Sequence, residues 1–126
     1  MSEYALLPQR WRVLIFCFGL AGVLLIALWP HPPTIPYLGT DGAQHAAAFV
    51  LLTLTARTCW PSAHWLRILA GLAGFGLAIE IMQGVIPTGR KPELDDWLTD
   101  CAAIGLVLVL GELVRKARAW LQRGPR

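Results

Sequence analysis

Long apolar runs alternate along this chain with short polar breaks that carry prolines, and the alternation predicts the elements. Four runs, at 11–29, 44–60, 66–86 and 97–114, approach the roughly 20 helical residues needed to cross a hydrocarbon layer about 30 Å thick. Pro30, Pro61 and Pro87 close the first three, because proline lacks the N–H and clashes with the preceding turn. Arg115 and Lys116 follow the fourth. The second run is the shortest, and Arg57 in its last turn is expected to snorkel toward the interface. All six tryptophans (Trp11, Trp29, Trp60, Trp65, Trp97, Trp120) fall at or beyond run ends, where amphipathic rings sit at membrane–water boundaries. The pattern predicts one all-α domain over 1–126, an integral membrane bundle of four transmembrane helices.

Composition strengthens that expectation. Of 126 residues, 56% are hydrophobic and 15% charged, against about a quarter charged in a soluble domain. The net charge of +3 resides in basic residues at run ends and in the stretch 115–126, which suits membrane lipid headgroups rather than nucleic acid. With the N-terminus inside, nine Lys and Arg residues face the cytoplasm and only Arg90 and Lys91 face out. This bias predicts an N-in, C-in membrane protein with a basic cytoplasmic tail. The first run is expected to be an uncleaved anchor, since Ala27-Leu28-Trp29-Pro30 offers no small-x-small cleavage site. Cys17, Cys59 and Cys101 form no motif and are expected to be small buried apolar side chains. Ala70, Gly74 and Ala78 form a small-residue stripe expected to pack inside the bundle rather than in a dimer. Composition and spacing identify no cofactor and no oligomeric state.

Candidate chemistry emerges when the polar residues are placed on this topology. Asp41 and His45, four residues apart, share a helix face at the outer start of the second run. Glu80 and Gln83 share a face near the outer end of the third, and Arg90, Lys91, Glu93, Asp95 and Asp96 occupy the following loop. Asp100 lies one turn below Asp96. These residues converge on the outer leaflet, and no comparable cluster is expected at the cytoplasmic end. Glu80 sits seven residues before Pro87, about 10 Å below the helix end. An unpaired charge at mid-bilayer costs about 2.5–3.5 kcal/mol, so Glu80 and Asp100 are expected to face inward toward Arg90, Gln83 or His45. Two readings follow: a polar network that fixes helix packing, or a ligand site. His31 and His64 are expected to be ordinary interfacial residues, and Thr53 and Thr55 to bond their own helix backbone.

These residues carry a resemblance to the VanZ-like membrane proteins. Asp41-Gly42-Ala43-Gln44-His45, with Phe49 one turn on, resembles the family's Asp-Lys-x-x-His-Phe start of its second helix. Glu80-x-x-Gln83, Gly89-Arg90, and Asp96 with Asp100 resemble the family's E-x-x-Q, G-R and D-x-x-x-N pattern. Gly42 stands in place of the usual Lys, Ala46 in place of an aromatic, Asp100 in place of Asn, and Ala103 where Gly is frequent. The resemblance implies a bacterial envelope protein with a link to glycopeptide (teicoplanin) resistance and no established mechanism.

Three functions are carried forward. In the first, a non-catalytic factor uses the cluster to organise the bundle or to bind a lipid-linked envelope precursor. In the second, an outer-leaflet phosphatase or transferase uses Glu80 or His45 as base and Arg90 as phosphate anchor, with Asp41, His45, Asp96 and Asp100 as candidate metal ligands. In the third, a small oligomeric transporter subunit moves protons through Glu80.

Overall fold

The computed structural model describes residues 7–124. It contains four helices in antiparallel succession: α1 (Gln9–Leu28), α2 (Asp41–Cys59), α3 (Trp65–Val85) and α4 (Leu94–Gln122). Residues 125 and 126, the last of the predicted tail, lie outside the described residues. α1, α3 and α4 are long and apolar enough to cross a membrane. α2 has 19 residues, about 28 Å of helix, but is more polar than the others because it carries Asp41, Gln44, His45, Arg57 and three threonines.

The helix ends follow local chemistry. Thr40 caps α2 by accepting from the Ala43 N–H at 3.2 Å, and Asp41 in the first turn faces the positive end of the helix dipole. The helix therefore begins three residues before the predicted start. His64 caps α3, accepting from Leu66 at 3.3 Å, so it is more than a loop residue. α4 begins at Leu94 rather than at 97 and runs unbroken to Gln122, so most of the predicted tail is helix. Arg, Lys, Ala, Leu and Gln all propagate helix well, which explains the extension.

α2 packs most extensively on α4, α3 also packs on α4, and α1 lies against α2 and α3. Phe49, Ile79 and Ile104 are fully buried at the centre, with the Phe49 and Phe75 rings 6.1 Å apart. Thr53 is buried too, and its hydroxyl donates to the Phe49 carbonyl at 2.6 Å; Thr55 does the same to Leu51 at 2.7 Å, both as expected. Large apolar side chains point outward, among them Phe18, Leu25, Leu51, Val85 and Leu106. Such an outer face fits hydrocarbon better than water.

Several packing expectations are corrected. Ala70, Gly74 and Ala78 are exposed on the outer side of α3, and the glycine that permits close approach is Gly76. A Cβ there would lie 3.3 Å from both Asp100 Oδ2 and Phe49 Cζ, and 3.4 Å from Trp97 Cδ1. Trp97 also has a packing role: its indole N–H donates to the Ala73 carbonyl at 2.9 Å and ties α4 to α3. Cys59 is buried, but Cys17 is exposed and Cys101 half-buried. Arg57, at the end of α2, is engaged by protein partners. It donates to the Ala63 carbonyl at 3.0 Å and lies 3.7 Å from Glu112, which also accepts from Arg115 at 2.6 Å.

Gly76→Ala is expected to lower stability by about 1–3 kcal/mol, because Asp100 and Phe49 are fully buried and have little room to yield. Thermal unfolding of the purified protein in detergent measures this, and an unchanged melting temperature would show that the contact is relaxed.

Candidate functional site

The site lies where the start of α2 and the start of α4 meet beside the end of α3. Antiparallel succession puts these three ends together. α2 passes α4 at Gly42, where a Cβ would make an ordinary contact with Asp96 Oδ1 at 3.5 Å. On this frame Asp41, His45 and Asp96 each offer one ligand atom, and all three atoms lie within 4.8 Å of one another. His45 Nδ1 is 3.8 Å from Asp100 Oδ2, with side-chain exposures of 10% and 1%. Asp100 Oδ1 is buried with no hydrogen-bond partner among the described residues.

The α3–α4 loop delivers the basic group. Gly89 has φ 79°, a left-handed conformation that costs glycine little, and the turn swings Arg90 back toward α2. Arg90 then donates to Asp41 Oδ2 as an ion pair, with its own side chain only 12% exposed. Lys91, Glu93 and Asp95 stay exposed.

Two predicted site residues bond backbone groups. Glu80 is buried as expected, but its Oε2 accepts from the Glu93 N–H at 2.8 Å, so it caps α4 where no side chain of that helix does. Its Oε1 has no partner among the described residues. Gln83 is buried and donates to the Ala27 carbonyl at 2.9 Å, tying α3 to the last turn of α1. Arg90 bonds Asp41 rather than Glu80 or Asp100, and the pairing is physical: the loop places the guanidinium over the start of α2, not over the interior of α3.

Beside His45 lies a cavity of about 120 Å³. Its walls are apolar, from Val23, Ile26, Pro33 and Ile35, and Asp41, His45 and Arg90 form its polar edge. Sequence reasoning did not anticipate the contribution of α1 and the α1–α2 loop to this wall. At the opposite end, sequence reasoning also passed over Glu112, which with Arg57 and Arg115 forms a small charged network. An acidic residue three before an arginine at the end of an apolar run was the available signal.

Comparison with family profiles, curated proteins and solved structures yields no match. The likeness to VanZ-like proteins therefore rests on the motif residues.

Glu80→Ala is expected to cost about 1–3 kcal/mol, since it leaves the Glu93 N–H without its acceptor, whereas Glu80→Gln keeps a carbonyl oxygen there and should lose less. Denaturation of both variants in detergent checks the order, and equal losses would remove the capping role.

Proposed function

We propose that the chain is a VanZ-like, four-span protein of the bacterial cytoplasmic membrane, N-in and C-in. In this reading its outer-end cluster both organises the bundle and binds the polar head of a lipid-linked envelope ligand. The carrying observation is the division of labour within the cluster. Glu80 and Gln83 are committed to backbone partners, while Asp41, His45 and Arg90 edge a cavity with apolar walls. An apolar wall beside a charged edge suits a molecule with a hydrocarbon stem and a polar head. The basic residues support the orientation, nine on the inner side against two on the outer. α2 would span as the fourth helix because its polar face is turned to α4 and its exposed residues include Leu51 and Leu54.

The pair of His45 with Asp100 favours a second reading, an outer-leaflet phosphoryl hydrolase or transferase in which a carboxylate-oriented imidazole acts as base. Glu80 is less suited to that role, because one carboxylate oxygen is occupied by the Glu93 N–H.

Orientation is tested by placing a cysteine at Lys91 in a background without the native cysteines. A membrane-impermeant maleimide added to whole cells is expected to label it, and labelling only after lysis would overturn the topology. Ligand binding is tested with the full chain in nanodiscs containing a polyprenyl phosphate or phosphatidylglycerol alone. The polyprenyl phosphate is expected to bind more tightly, and Arg90→Gln to weaken it about tenfold or more through loss of a charge-assisted bond. Equal binding by the variant would refute the headgroup site. Hydrolysis that His45→Ala abolishes, in a protein that still melts normally, would favour the enzyme.

A further inference from the structure

The cluster contains more negative charge than its basic partner offsets. Asp41 and Asp96 gather with His45, Asp100 stands on its other side, and among the described residues Arg90 pairs only with Asp41. Glu80, on the neighbouring α3, is held by the Glu93 N–H. Asp100 is the distinctive member. Its side chain is 1% exposed, one oxygen has no partner among the described residues, and the other points at His45. A carboxylate so deeply placed is costly unless a positive group stands near.

We propose that Asp41, His45 and Asp96 bind one divalent transition cation of the Zn2+ or Mn2+ class, with Asp100 as the residue that orients the His45 imidazole. One imidazole nitrogen with two carboxylates is a mixed donor set suited to such ions and less to Mg2+ or Ca2+, which favour all-oxygen sites. Histidines that ligate metals commonly present their second ring nitrogen to a carboxylate, which fixes ring and tautomer. His45 Nδ1 stands 3.8 Å from Asp100 Oδ2, so a small closure would form this contact and leave Nε2 for the cation. Donor atoms around a tetrahedral Zn2+ stand about 3.4 Å apart. The three atoms lie within 4.8 Å of one another, so binding an ion would draw them together by up to about 1.4 Å. Asp41 is half exposed and Arg90 takes its Oδ2, so the carboxylate retains an oxygen for the ion and an open route from solvent. Three protein ligands leave the remaining positions to water or to an anionic oxygen. The proposal does not depend on the side of the membrane the site faces or on the lipid-linked ligand.

The test uses the full chain in detergent, without lipid-linked ligand, dialysed against ZnCl2 or MnCl2 with bound metal counted by mass spectrometry. One ion per chain is expected. His45→Ala and Asp96→Asn should each weaken binding by at least tenfold, and Asp95→Asn, an exposed neighbour, should leave it unchanged. Asp100→Asn should weaken binding by about 10–100-fold while raising the melting temperature of the metal-free protein, since it removes a buried carboxylate. That opposition of signs separates a positioning residue from a merely structural one. Should His45→Ala melt poorly without metal, Asp96→Asn and the pulsed-EPR nitrogen coupling of bound Mn2+ decide the matter. Failure of both ions to bind at millimolar concentration, binding indifferent to Asp96→Asn, or bound Mn2+ with no nitrogen coupling would each overturn the proposal.

Discussion

Carboxylates among apolar helices must each find a donor or a cation, and the contact between α2 and α4 is arranged around that requirement. Glu80 meets it through the Glu93 N–H, and Asp41 through Arg90. Asp100 meets it least, with only the His45 imidazole nearby. Close passage of helices at Gly76 brings these groups together, because a side chain there would push on Asp100, Phe49 and Trp97 at once. Packing and electrostatics are thus the same problem here: the apolar centre at Phe49 and Ile104 sets the helix separation at which the polar side chains can meet.

The bundle is tied at both ends by side chains that bond backbone carbonyls across helices. At the site end, Gln83 reaches Ala27; at the other, Gln9 reaches Cys59 at 3.0 Å and Arg12 reaches Thr58. Hydrogen bonds to a helix's terminal carbonyls matter most where water is scarce, since those groups lack intrahelical donors. Such ties would hold α1 to the bundle although it makes no contact with α4 among the described residues.

Much of the fold was legible in the sequence. Prolines and run length located four helices, and Asp41, His45, Asp96 and Arg90 were expected at one locus where the structure brings them. Boundaries were less legible. The cap at Thr40 started α2 early, and the charged residues after 114 continued α4 because they are good helix formers. Pairing was least legible, because it depends on helix rotation and loop path. That is why Arg90 was assigned to Glu80 or Asp100 when it bonds Asp41, and why the partners of Glu80 and Gln83 proved to be backbone groups, which no pattern of residue types reveals. The stripe at Ala70, Gly74 and Ala78 misled for a related reason: small size says a helix can be approached, not which face is.

α4 is about 43 Å long, against a hydrocarbon layer of about 30 Å, and no proline interrupts it. One rigid rod therefore joins the carboxylates at Asp96 and Asp100 to the arginines near its far end. A small tilt or twist imposed where it starts would be carried along the helix to Arg118 and Trp120. The polar cluster and the distant basic turn are mechanically one part.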